Sequence, residues 1–324
     1  MLKAKVLDLL TGSNAFAPIR FLNRRKFPVL MYHRFSRDEA FGKTSRATFE
    51  SHLKYLTKHY KIISLDEAAK GLRSGEPLPP RSALVTIDDG YQDFYDIAFP
   101  ILKKFNVPAA LYVVTGFVEQ VNWIWTDKAR HILGRTSAGK CDLTIGSESF
   151  AGELGAYESR LMVAGSINSE LKKMPDADKD AALREMAMRL NVTIPDLPPD
   201  EFKALGWDEA REMQAHNIEI GSHTATHPIL TNVSVKVLED ELRVSKSMLE
   251  DKLQKQTIHF CYPNGNAAKR ERDATEKAGY ASAVTTELRL CENGDDTFLL
   301  PRIDAEPEMH RFVQATSGFD RLKG

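Results

Sequence analysis

The chain has 324 residues, a formal net charge of −1 and 42% hydrophobic against 27% charged residues, a globular composition that excludes disorder. With no basic field and no long cationic tract, the charge excludes a nucleic-acid partner. The three cysteines, Cys141, Cys261 and Cys291, are odd in number and far apart with no Cys-x-x-Cys pair, which excludes a disulfide framework or a cysteine zinc site and predicts a reducing compartment.

In chain order, residues 1–26 form an N-terminal segment. Its opening, Met1-Leu2-Lys3-Ala4-Lys5 and onward, is too charged, and its apolar run too short, for a secretory signal or a membrane span, so the expected location is the cytoplasm. Residues 6–22 alternate apolar and small side chains before Arg24-Arg25-Lys26. That pattern reads either as a helix capping the fold or as an amphipathic segment on an anionic membrane, a peripheral association.

From there short apolar runs alternate with helical patterns, the signature of βα units around a parallel sheet. Candidate strands are 28–32, 61–64, 83–88, 108–114, 217–221, 257–262, 280–285 and 297–301. The expected fold is therefore α/β, a distorted (β/α) barrel of about seven to eight parallel strands with a helical insertion. Phe49, Leu53 and Leu56 recur at helical spacing and predict a core face. Ser64-Leu65-Asp66-Glu67 predicts a capping box.

Residues 117–205 break the alternation. They show two helical patterns, 157–173 and 177–190, no convincing strand run, and a closing connector, Ile194-Pro195-Asp196-Leu197-Pro198-Pro199. The expected division is thus a barrel of residues 27–116 and 206–324 and a mainly helical insertion of 117–205.

The chemistry gathers after the predicted strands: His33 after the first, Asp88 and Asp89 after Val85-Thr86-Ile87, His223 and His227 after 217–221, Pro263 and Asn264 after 257–262, and Arg302 after 297–301. In a βα barrel these ends share one rim, the place of the active site. One carboxylate and two imidazoles, Asp89, His223 and His227, suit a divalent ion with a position left for water. Zinc is the first expectation, and cobalt, nickel or iron suit the same donors. Asp88 leaves the strand on the other side of its neighbour and is placed as a general base. Trp125, in Trp123-Ile124-Trp125-Thr126-Asp127, is a candidate for stacking on a sugar face.

These residues carry a resemblance. Thr86-Ile87-Asp88-Asp89-Gly90 and His223-Thr224-Ala225-Thr226-His227 resemble the first two motifs of the polysaccharide deacetylases of carbohydrate esterase family 4, which share the NodB homology domain. The resemblance implies that Asp88 is the base and that Asp89, His223 and His227 hold the metal, usually zinc. The family's third motif reads Arg-x-Pro-Tyr, whereas this chain has Cys261-Tyr262-Pro263-Asn264-Gly265. Cysteine takes the arginine slot, Arg302 is the expected substitute, and the stretch Tyr262, Pro263, Asn264 is expected to meet the substrate, with the Asn264 amide contacting the oxyanion. The C-terminal Leu-x-His is absent. Val29-Leu30-Met31-Tyr32-His33 is similar to the opening of the permuted poly-N-acetylglucosamine deacetylase subgroup, which implies His33 as general acid, on the flank of the scissile bond opposite Asp88.

The reading is a metal-dependent de-N-acetylase of N-acetylglucosamine-type sugars, its substrate an N-acetylated glycan or a lipid-linked saccharide. Two alternatives stand beside it: a metal amidohydrolase acting on a small non-peptide amide or acyl ester, and a catalytically silent glycan-binding homologue.

Overall fold

A computed structural model of the chain describes residues 15–319. After α1 (Ala17–Leu22) and β1 (Val29–Tyr32) come the short strands β2 (Phe35–Ser36) and β3 (Thr44–Ser45), then α2 (Arg46–His59), β4 (Lys61–Ile62), α3 (Leu65–Ser74) and β5 (Ser82–Ile87). A π-helical turn runs into α4 (Phe99–Phe105), followed by β6 (Ala109–Val113), α5 (Thr115–Val118), α6 (Trp125–Arg135), the strands β7 (Lys140–Ile145) and β8 (Glu148–Glu153), α7 (Tyr157–Leu171) and α8 (Asp176–Arg189). The chain then forms α9 (Trp207–Gln214), β9 (Ile218–Ser222), α10 (Val235–Leu253), β10 (His259–Cys261), α11 (Lys269–Lys277), β11 (Ser282–Leu288), β12 (Leu300–Asp304) and α12 (Met309–Ser317).

Seven parallel strands close a barrel in the order β1-β12-β11-β10-β9-β6-β5, because β5 also pairs with β1. The eighth, β4, attaches only to the start of β5 through Lys61↔Ser82 and Ile62↔Ala83. The expected distorted (β/α) barrel is the fold observed. Its strands are apolar on both faces, as parallel strands covered by helices must be. All six residues of β5 and all five of β6 are buried. Gly221 leaves room for an aromatic ring in this interior: a Cβ there would lie 2.6 Å from Tyr112 Cδ1.

Local signals account for the helices. Ser45 caps α2 by accepting the Thr48 amide, and Phe49, Leu53 and Leu56 on its inner face are fully buried, each worth roughly 1.5–3 kcal/mol in transfer from water. Ser64 likewise accepts the Glu67 amide. The reciprocal bond of the expected capping box, Glu67 to the Ser64 amide, is not formed; the next two amides of the helix, Leu65 and Asp66, are instead met from across the fold by the Glu219 carboxylate on β9 at 2.6 and 2.9 Å.

Between α5 and α9 the chain builds a second apolar cluster, with Ile132, Leu133, Leu143, Ile145, Ile167, Leu171, Leu183 and Met186 buried together. The two predicted helices are present as α7 and α8. The expectation of no strand here is corrected: β7 and β8 pair as an antiparallel hairpin from Lys140↔Glu153 to Ile145↔Glu148. Its basis is a period of two, with Cys141, Leu143 and Ile145 buried and Lys140, Asp142 and Thr144 exposed, and Gly146 turning the chain at φ 61.

A second correction concerns the last strand. Asp296 holds a turn, its carboxylate accepting the Phe298 amide and its carbonyl the Leu299 amide. β12 therefore begins only at Leu300, and Arg302 sits within it, 1% exposed. Of the N-terminal segment read as amphipathic, residues 1–14 lie outside the described residues. In α1, Phe21 and Leu22 are 63% and 77% exposed. No helix among the described residues is long and apolar enough to cross a membrane.

Candidate active site

Register decides which side chains meet at the carboxyl ends of the strands. Tyr32 pairs with Ile87 across β1 and β5, so the residues that follow, His33 and Asp88, are neighbours, with His33 Nε2 3.7 Å from Asp88 Oδ2. Val113 pairs with Ser222, and Ser222 with Phe260, which brings His223 beside the turn after β10.

Asp88 is 2% exposed and is gripped by Arg302, Nη1 to Oδ1 and Nη2 to Oδ2, both at 2.7 Å. This two-bond fork is the strongest ion-pair geometry available to a carboxylate. Arg302 is held in turn by Nε to the Thr285 carbonyl at 2.8 Å and by Nη2 to Cys261 Sγ at 3.2 Å. Burial alone would raise the Asp88 pKa, but the Arg302 guanidinium outweighs it and holds the carboxyl well below the usual range. His33 is open to the cleft, and burial of its inner edge, against the pull of Asp88, lowers its pKa.

Beside this pair, three donor atoms form a triangle. Asp89 Oδ1 lies 3.6 Å from Nε2 of both His223 and His227, and the two Nε2 atoms are 3.2 Å apart. Donors bound at about 2.0–2.2 Å around a tetrahedral ion are about 3.3–3.6 Å apart, so the side chains fit one small divalent cation. The tautomer also fits: His223 Nδ1 meets the Cys261 carbonyl at 2.8 Å, and since a carbonyl only accepts, the proton sits on Nδ1 and Nε2 turns a lone pair into the triangle. Burial lowers the His223 pKa to about 4 and also lowers that of His227, so both rings are neutral. Burial, then the adjacent Asp88, raises that of Asp89. Two neutral imidazoles and a carboxyl whose charge is disfavoured are what a divalent cation compensates. A second cluster, Asp88, His223 and Cys261, fits a metal less well. Arg302 already occupies both Asp88 oxygens, and burial raises the Cys261 pKa and keeps it a thiol.

The triangle is built on strained backbone. Asp89, Thr224, His227 and Asn264 all have positive φ, at 80°, 70°, 64° and 59°, a conformation that costs a side chain energy and persists only where the surroundings impose it. The histidine loop is imposed by Glu241 of α10, whose carboxylate accepts the amides of Ala225 and Thr226 at 2.7 and 3.0 Å and the Thr226 hydroxyl at 2.6 Å. Sequence reasoning missed Glu241. Its signal was a carboxylate on the buried stripe Leu238, Leu242, Ser245, Leu249.

After β10, Tyr262 spends its amide on the Val284 carbonyl at 3.2 Å and Pro263 has none, which leaves Asn264 as the member of the expected trio with an amide to offer. Gly265 is needed here, since a Cβ would fall 2.4 Å from the Thr286 nitrogen. Tyr262 and Asn264 line the cleft, with Tyr262 fully buried. Trp125 also lines it, but its ring is 8% exposed, packs in the α6–α8 cluster and carries Lys179 Nζ 4.9 Å from its centroid. An open stacking face, expected from sequence, is not what it presents.

The cleft, about 540 Å³, is walled by the barrel rim on one side and by Arg130, Tyr157, Leu161 and Lys172 on the other. Tyr91, just beyond Asp88-Asp89-Gly90, donates to the buried Asp127 of α6 at 2.5 Å, and Arg130 binds the same carboxylate at 2.8 Å. Nothing in the sequence placed Arg130, Tyr157, Leu161 or Lys172 at the cleft.

Residues 75–283 match the polysaccharide deacetylase family. Among known proteins, the chain is 23% identical over 285 residues to YxkH of Bacillus subtilis (strain 168), assigned by name to the polysaccharide deacetylases, covering 88% of this chain and 73% of the relative. It is 36% identical over 80 residues to the poly-β-1,6-N-acetyl-D-glucosamine N-deacetylase of Staphylococcus aureus (strain MSSA476), a match spanning 24% of this chain and 27% of that protein. Among solved structures, the deacetylase PplD of Streptococcus pyogenes in complex with acetate shares the fold with a TM-score of 0.61 at 21% identity, over 90% of this chain and 98% of the other. Since the matched span carries both the Asp88-Asp89 turn and the His223–His227 loop, the chain belongs to the polysaccharide deacetylase family, hydrolases acting on carbon–nitrogen bonds other than peptide bonds.

Proposed function

We propose that the protein is a metal-dependent de-N-acetylase that hydrolyses the acetamide of N-acetylglucosamine-type sugars and releases acetate. The observation that carries this reading is the donor triangle of Asp89, His223 and His227 standing beside an Asp88 fixed by Arg302. In this reading the triangle holds zinc or a similar divalent ion, which when bound polarises the acetamide carbonyl and makes water nucleophilic near neutral pH.

The chain's own residues then have distinct tasks. Asp88, kept ionised and immobile by Arg302, takes the proton of the attacking water through lone pairs left beyond the guanidinium fork. The Asn264 amide supports the developing oxyanion, a contact worth a few kcal/mol. His33, 3.7 Å from Asp88, passes a proton to the departing amine, and the short gap lets the proton taken by Asp88 return through the imidazole. Cys261 occupies the place of the family's arginine, and Arg302, reaching in from β12, does its work.

The cleft's size suits one or two sugar units, which favours a saccharide over a small amide. For the lipid-linked form of the substrate, the exposed Phe21 and Leu22 beside Arg24 and Arg25 support peripheral membrane contact, and three buried, unpaired thiols support a reducing compartment such as the cytoplasm. The test is acetate release from β-1,4- and β-1,6-linked N-acetylglucosamine oligomers. The expected result is turnover that disappears in Asp88→Asn and on chelation and returns with added metal. Turnover that survives Asp88→Asn overturns the proposed base.

A further inference from the structure

The wall of the cleft opposite the barrel rim carries a charge arrangement that the hydrolysis does not use. Besides Arg302, four cations line the cleft, Arg34 and Lys43 from the loops after β1 and Arg130 and Lys172 from the opposite wall, in a chain whose net charge is −1. Three of the four share two carboxylates. Arg34 and Lys43 both pair with Asp93, at 2.7 and 3.5 Å, and Arg130 pairs with Asp127 at 2.8 Å. Lys172, at the carboxyl end of α7, is half-buried, and its ammonium has no hydrogen-bond or ion-pair partner among the described residues. The charged group that bears on it is another cation, Arg130, which together with burial lowers its pKa.

Two cations lining one cleft, one of them a half-buried ammonium with no carboxylate partner, are an unfavourable arrangement unless something negative occupies the cleft. The other carboxylates lining the cleft are committed, Asp88 to Arg302 and Asp89 to the donor triangle. Arg130 and Lys172 line the same cleft as His33, Asp88, Asp89 and the two histidines, which places these cations in the space a saccharide would occupy.

Resting on the deacetylase reading above, we propose that Arg130 and Lys172 form a subsite for an oxyanion carried by the saccharide, a phosphate or a carboxylate next to the acetamido sugar. The guanidinium supplies the planar face that recognises such groups and the ammonium a point charge. The substrate is then an anionic glycan or a glycosyl phosphate rather than a neutral homopolymer.

The test compares N-acetylglucosamine with N-acetylglucosamine 1-phosphate, and neutral chitotriose with a trisaccharide in which glucuronic acid adjoins the N-acetylglucosamine. It is run on the metal-loaded full chain and on Lys172→Met and Lys172→Glu, reading both kcat/KM and the dissociation constant by calorimetry. The expected preference for the charged member of a pair is about ten- to hundredfold, the range of one charge-assisted contact. It falls about tenfold in Lys172→Met and further in Lys172→Glu. A preference confined to the phosphate pair identifies a glycosyl phosphate, and one confined to the uronate pair an acidic glycan. Equal binding and turnover within both pairs overturns the subsite, as does a preference that both variants leave intact. The binding ratio decides this even if no saccharide is deacetylated, an outcome that instead counts against the deacetylase reading itself.

Discussion

Replacing Arg302 by methionine tests how this chain manages without the family's arginine. Arg302 and Asp88 are 1% and 2% exposed and joined by two bonds of 2.7 Å. With charge centres about 4 Å apart and an effective dielectric of about 20, their attraction is about 4 kcal/mol, and stripping one partner from a buried pair costs about 3–5 kcal/mol because the other is left charged without compensation. Arg302→Met is therefore expected to lower unfolding stability by about 3–5 kcal/mol. The stranded carboxyl relieves this by taking up a proton, which removes the base and lowers kcat/KM at least about a hundredfold. Asp88→Asn strands the guanidinium and is costly in the same way, whereas the double variant Asp88→Asn/Arg302→Met loses less than the sum of the singles. Urea unfolding of the four proteins, with hydrolysis of a chromogenic acetyl ester alongside, measures the coupling. Additive costs, or an Arg302→Met protein as active as the parent, would refute the reasoning.

Two further outcomes follow from the same structure. Glu241→Ala strands three donors of the histidine loop, so it is expected to weaken metal binding about 10–100-fold, as loss of a group that orients metal ligands does; competition with a chromogenic chelator measures this, and unchanged affinity refutes the supporting role. His52 is fully buried, its ring stacked 3.7 Å from that of Phe312, and burial lowers its pKa to about 3. That value lies below the unfolded one of about 6.5, so the unfolded chain binds the extra proton between them and stability falls as pH drops through that window, by about 2 kcal/mol from this residue between pH 6.5 and 5. His52→Phe is expected to flatten the profile by that amount in urea unfolding at the two pH values.

Much of the barrel was legible because parallel strands covered on both faces read as unbroken apolar runs, as Val85-Thr86-Ile87 and Ala109–Val113 do. The rim residues followed, since the polar side chains after those runs share one end of the sheet. What failed had local causes. The alternation of Lys140–Ile145 is short, with two of its six residues charged, and it lay hidden in a stretch dominated by helical patterns. The turn made by Asp296 shifted β12 and carried Arg302 from the rim into the strand, yet the long side chain still reaches Asp88. The adjacency of His33 and Asp88 depends on β1–β5 register, which closure of the barrel imposes and a linear pattern does not display. Nothing in the sequence marks Lys172 and Arg130 as cleft residues, and only the packing of α6 and α7 over the barrel mouth makes them so. His33 and Arg302 also fall outside the span of the family match, residues 75–283, so their part in the site rests on topology.

The account stands on Asp89, His223 and His227 holding one divalent ion. Elemental analysis of the purified chain, joined with anomalous diffraction at the metal's absorption edge, tests this directly. The account predicts one ion per chain, bonded to those three side chains and lost in Asp89→Ala. An ion bound instead by Asp88, His223 and Cys261, or full activity in metal-free protein, would contradict it.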